Sequence, residues 1–201
     1  MDTEISQVIR DAVVAVGAAG TAIAAWRGIH AWRQQLVGKE RHRVAAELLK
    51  AAIKWREAVR LVRAPMMFAH EMEPLPEEQE RSLPDAADNY KNATRGYTRR
   101  WKRVQEARAL LEASVIDGEI YLGAWAREWF SDLLTAEIKL RHAVEDFLRA
   151  QMRPERIPSR ETKRVAERDA ILYGGGSSDE FGKIINETVE NLRVLVKKHV
   201  S

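Results

Sequence analysis

The segment RGYTRRWKR, residues 95 to 103, sets five cations around Tyr97 and Trp101, a combination suited to phosphate contacts with aromatic stacking on bases. Helical spacing argues against that use. Tyr97 and Trp101 share a stripe with Val104 and Leu111, so the aromatics are expected in a core and the cations on the opposite, solvated face. Nucleic acid is therefore not an expected partner. The run GGGSSDEFGK from Gly174 imitates a phosphate loop, but the Walker pattern requires Gly at Ser177 and Ser or Thr at Ile184, and Asp179 with Glu180 would repel phosphate. Residues 174–178 are read as a Gly-rich hinge. His142 and Glu145 match the spacing of a di-iron pair only in reversed order and without a second copy, so no metal or cofactor is expected. With no cysteine and five scattered histidines, the chain offers no nucleophile–base arrangement, and no catalytic residue is assigned: the sequence reads as a protein that is not an enzyme.

Arg63 and His70, spaced R-x6-H, resemble the Arg-His pair of helical RNases of the HEPN type, a resemblance that implies both groups acting on a scissile phosphate. Pro65 interrupts the helix that should present the two together, and Ala64 stands where a polar neighbour is common. A nuclease of this kind is kept as the second alternative function.

The elements that must position any site begin with residues 12 to 26, AVVAVGAAGTAIAAW, fifteen uncharged residues closed by Arg27. A bilayer core of roughly 30 Å needs about 20 apolar helical residues, so a span has to continue past Arg27 to Trp32. Val13, Val14, Val16 and Ile23 supply roughly −1 to −2.5 kcal/mol toward insertion, a thin margin. Trp26, Arg27, Trp32 and Arg33 are expected at the membrane interface, with the arginine stems reaching toward the headgroups. Seven basic residues lie between Arg27 and Lys54, against only Arg10 among three acids before the run, so the N-terminus is expected outside the inner (cytoplasmic) membrane and the bulk of the chain in the cytoplasm. Gly17 and Thr21, Ala15 and Ala19, and Gly20 and Ala24 are each four apart. These small residues form a surface on which helices could pack closely, and a homo-oligomer is the expected state.

Residues 1–34 are thus read as a membrane anchor and 35–201 as a cytosolic helical bundle, all-α, an antiparallel bundle of about four long helices. Val44, Leu48, Trp55, Val59 and Val62 recur at helical steps after Gly38, where the first helix either continues or bends. Residues 65–84 hold four of the six prolines and five acids and read as a loop. A helix capped by Asp85 is expected to end at a turn at Asp117-Gly118, the next to run from about Glu119 to Arg153, a short one to cover 159–173, and the last to start from a capping box of Ser177 with Glu180. The core is expected to include Trp55, Trp101, Leu111, Leu133, Phe147 and Leu192.

The stretch AWRQQLVGKERHRVAAELLKAAIKWREAVRLVRAP and the ending ILYGGGSSDEFGKIINETVENL resemble a group of uncharacterised bacterial proteins that carry a short N-terminal membrane helix and a cytosolic helical bundle. The resemblance implies an architecture and no activity. The expected function is a membrane-anchored scaffold, adaptor or effector without its own catalysis, self-associating through its N-terminal helix, with the lipid bilayer and an unknown cytosolic protein as partners. The first alternative is an oligomeric membrane-perturbing or pore-forming effector of bacterial defence.

Overall fold

A computed structural model describes the backbone of residues 2–152, 161–174 and 179–200; the side chains of 2–16, 18, 19, 22, 23, 161, 162, 199 and 200 are outside the description. Six α-helices and one short 3-10 turn make up the described residues, and no strand occurs among them. The helices are α1 (Asp2–Val62), α2 (Glu77–Arg81), α3 (Asp88–Tyr121), α4 (Trp125–Met152), α5 (Glu161–Leu172) and α6 (Glu180–Val200). The chain divides into two compact units, Met1–Arg43 and Val44–Ser201.

The first unit is helical throughout its described backbone, and α1 passes Gly38 without a break. No helix among the described residues is long and apolar enough to cross a membrane, so the N-terminal membrane helix expected from the sequence is not supported. The cause lies in the side chains. Ala, Gly and Thr fill ten of the fifteen positions from 12 to 26, and extension to a spanning length takes in Arg27, Gly28 and His30. Small residues make little apolar surface, and four strongly apolar side chains leave only a thin margin for insertion.

In the second unit, the part of α1 from Val44 onward buries Val44, Leu48, Ala52, Trp55, Val59 and Val62, the three-four spacing of an amphipathic helix facing a core. Leu111, Leu133 and Leu192 are buried with Trp55, as expected, whereas Trp101 and Phe147 pack against that core while only partly buried. Helix directions follow from matched residues. Tyr97 meets Phe147 edge-on at 5.7 Å, and Arg108 pairs with Glu137 at 3.3 Å, so α3 and α4 run antiparallel. The Trp55 indole donates to Glu137 at 2.8 Å, tying α1 to α4, and the Trp129 indole donates to the Thr188 carbonyl at 2.7 Å, tying α4 to α6.

Several boundaries differ from the sequence expectation. Helix α3 starts at Asp88 with Ala87 as N-cap and no side-chain cap, and the exposed Asp85 carboxylate lies 3.4 Å from Lys91. Asp117-Gly118 is not a turn. A Cβ on Gly118 would lie 3.3 Å from both Ala126 Cβ and Leu48 Cδ2, so this glycine lets α1, α3 and α4 approach one another inside a continuous helix. The reversal falls at Gly123, whose φ of 112° is the left-handed conformation that follows many helix ends. Ser177 and the rest of the expected hinge at 175–178 lie outside the described residues, and the cap of α6 that is described is Asp179, whose Oδ1 accepts from Gly182 N at 2.8 Å.

Candidate functional site

Three arginines of α3 organise the loop that precedes it. Arg100 is wholly buried, and its Nε and Nη2 donate to the two carboxylate oxygens of Glu71 at 2.9 and 2.8 Å. Its Nη1 donates to the Ala64 carbonyl at 2.7 Å, and Nη2 also reaches the Met66 carbonyl. Arg99 donates to the carbonyls of Glu71 and Glu73 at 2.7 Å each and of Pro74 at 2.8 Å. Arg95 pairs with Glu80, whose Oε2 accepts from Leu75 N at 2.9 Å. The planar five-donor guanidinium suits this use, because it serves several acceptors at fixed angles where an ammonium acts as a point charge.

The arrangement corrects the expectation that all the cations of residues 95–103 face solvent. Lys102 and Arg103 do, but Arg95, Arg99 and Arg100 are taken up by the loop folded over that face. Tyr97 is buried and burial pushes its hydroxyl upward, so the stacking face that a nucleic acid would need is inside the bundle.

A second pair, a buried Arg63 with a partly buried Asp179, closes the other side of the first helix's end. Arg63 donates through Nη1 and Nη2 to Asp179 at 3.0 and 2.7 Å and through Nε to the Ile171 carbonyl at 2.6 Å. These hydrogen bonds hold the Asp179 carboxyl below its ordinary range, against the opposing effect of burial. Gly174 and Gly182 flank the pair, and a Cβ on either would collide with the Arg63 and Asp179 side-chain ends. Arg63 thus fastens α1 to the α5 C-terminus and the α6 N-terminus. His70 is exposed and stacks on Phe68 with ring centres 5.8 Å apart. The Arg-His pair of the HEPN resemblance is therefore divided between a buried structural cation and a surface ring. His142 is exposed, and Glu145 is engaged by Arg141 and Arg149.

The first unit presents the opposite situation. Trp26 is 65% exposed and Trp32 62%, and Ile29, Leu36 and Val37 are exposed with them. Arg27, Arg33, Lys39 and Arg41 are exposed among these apolar side chains, while Glu40 pairs with Arg43. Gly17, Gly20, Thr21 and Ala24 are also exposed, and nothing lies within 4 Å of a Cβ built on either glycine. Five large apolar side chains left open on one helix form the kind of surface that marks an interaction site.

Comparison with protein-family models, with curated proteins and with solved structures finds no match for this chain.

Proposed function

We propose that the protein is a helical-bundle scaffold, an adaptor or effector without catalysis of its own, held at the cytoplasmic face of a membrane by the N-terminal half of α1 and assembling there with copies of itself. The observation that carries this reading is the exposed set Trp26, Ile29, Trp32, Leu36 and Val37 set among Arg27, Arg33, Lys39 and Arg41. Indole rings favour the boundary between headgroups and acyl chains, and cations near them favour the headgroups. The open small residues Gly17, Gly20, Thr21 and Ala24 support close packing against a second copy. A membrane-perturbing oligomer would use the same surface and is distinguished by leakage of vesicle contents.

The test is flotation of the full-length chain with mixed-phospholipid vesicles, followed by crosslinking, beside the Gly17→Leu/Gly20→Leu variant. The natural chain is expected to float and to crosslink into oligomers. The variant is expected to float while its crosslinked species disappear, because Leu fills the space that a second backbone needs. A chain that stays at the bottom of the gradient overturns the membrane reading, and unchanged crosslinking in the variant removes the small-residue surface as the interface.

A further inference from the structure

We infer that residues 22 to 41 lie in the plane of the bilayer surface and select anionic phospholipid, an inference that rests on the membrane-surface reading above and names the lipid class. At 3.6 residues per turn, Trp26, Ile29, Trp32, Leu36 and Val37 fall within an arc of roughly 140°, together with Ala25, and Glu40, paired with Arg43, closes the same arc one turn further on. Gly28, Ala31, Gln34 and Gln35 occupy the remainder with Arg27. That is the division of a helix lying in an interface: its apolar arc is wide enough to enter the headgroup and acyl boundary, and its other face is too polar to leave water. A spanning helix needs an apolar surface all round, which this segment lacks.

The charge on the segment decides which interface. Between Trp26 and Arg43 there are five cations, Arg27, Arg33, Lys39, Arg41 and Arg43, and one acid, Glu40, which Arg43 already engages. Arg27, Arg33, Lys39 and Arg41 are exposed, as are all five large apolar side chains. Arg41 flanks the arc on one side and Lys39 on the other. Arg33 sits within it, where a long stem reaches outward to a phosphate while its methylenes stay among the acyl chains. A zwitterionic headgroup balances its phosphate with a neighbouring ammonium and gives these cations little net attraction. An anionic lipid such as phosphatidylglycerol leaves the phosphate uncompensated, and each Lys or Arg beside it strengthens binding about fivefold. The attraction operates within a Debye length, about 8 Å at physiological ionic strength, so it is expected to weaken as salt rises.

Tryptophan placement makes the geometry observable. Trp26 and Trp32 are exposed, whereas Trp55 and Trp129 are buried and Trp101 and Trp125 are partly buried against the core. A blue shift of emission on vesicle binding therefore reports on residues 26 and 32.

The experiment is co-sedimentation of the full-length chain with phosphatidylcholine vesicles, alone and with added phosphatidylglycerol, at low and high salt, with emission recorded in parallel. The expected result is binding to the anionic vesicles at least tenfold tighter than to the neutral ones, a blue shift, and a loss of affinity at high salt. Arg33→Gln/Lys39→Gln/Arg41→Gln is expected to remove at least tenfold of the anionic binding and leave the neutral binding in place. Trp26→Ser/Trp32→Ser is expected to weaken both. All five positions are exposed, so unchanged thermal melting of the variants separates lost binding from lost fold. Equal binding to both vesicle types leaves the membrane-surface reading intact and overturns the selectivity. No binding to either, with the chain sedimenting as an oligomer, assigns the apolar arc to a second copy and overturns both.

Discussion

Arg100→Ala is expected to lower the unfolding free energy of the bundle by about 3 to 5 kcal/mol, because it strands a buried carboxylate. Glu71 is 3% exposed and its two oxygens both face the Arg100 guanidinium, so the truncated side chain leaves a charge with neither its partner nor water. The carbonyls of Ala64 and Met66 lose their donor at the same time. Urea denaturation should show the midpoint shift, and limited proteolysis should show new cleavage between residues 64 and 80. Arg103→Ala, at an exposed position on the same helix, is the control and should change neither. The pair also shapes the acid limit of stability. Its hydrogen bonds to Arg100 hold the Glu71 carboxyl at about 2, below its ordinary 4.5, even though burial pushes the other way. A depressed carboxyl contributes stability that is complete above about pH 4.5 and disappears as the pH falls toward 2, worth about 3 kcal/mol here. The natural chain should therefore weaken steeply on acidification through that window, and Glu71→Gln should be less stable at neutral pH but show a shallower acid limb.

Asp179→Ala is expected to have an effect of similar size through a different combination of losses. It leaves Arg63, 6% exposed, without its counter-charge and removes the acceptor that caps α6 at Gly182 N. Stranding the buried Arg63 costs up to about 3 to 5 kcal/mol, and loss of the cap adds about 1 kcal/mol. Asp179→Asn should fall between the two, since an amide oxygen still caps the helix while the charge is gone. The double variant Arg63→Met/Asp179→Asn should recover part of the loss, because no cation is then left unpaired. Equal midpoints for the single and double variants in denaturant would show that the two side chains do not act as a pair.

The helices of the second unit were legible because each has one apolar face with helical spacing, and Trp55, Leu111, Leu133 and Leu192 lie on those faces and are buried. The arginine cluster was not, and the reason is the identity of its acceptors. Arg99 is held by the backbone carbonyls of Glu71, Glu73 and Pro74, and Arg100 by those of Ala64 and Met66 beside the Glu71 carboxylate, and a carbonyl is the same in every residue. Periodicity around Tyr97 therefore assigned Arg100 to a solvated face that the loop in fact covers. The Asp117-Gly118 turn failed on similar grounds: a glycine can allow a reversal or a close helix approach, and only the positions of Leu48 and Ala126 decide which. At the N-terminal run the sequence shows a marginal span, with four strongly apolar side chains among Ala and Gly, and no helix among the described residues is apolar enough to cross a membrane.

The loop over α3 separates what holds it from what it displays. Its anchors are carbonyls together with the carboxylates of Glu71 and Glu80, while Met66 and Phe68 are 73% and 58% exposed and His70 turns outward beside them. Side chains at 66, 68 and 70 can therefore be exchanged without altering the anchors. The loop thus joins a fixed framework to a tip whose three exposed side chains take no part in the hydrogen bonds that Arg95, Arg99 and Arg100 make to it.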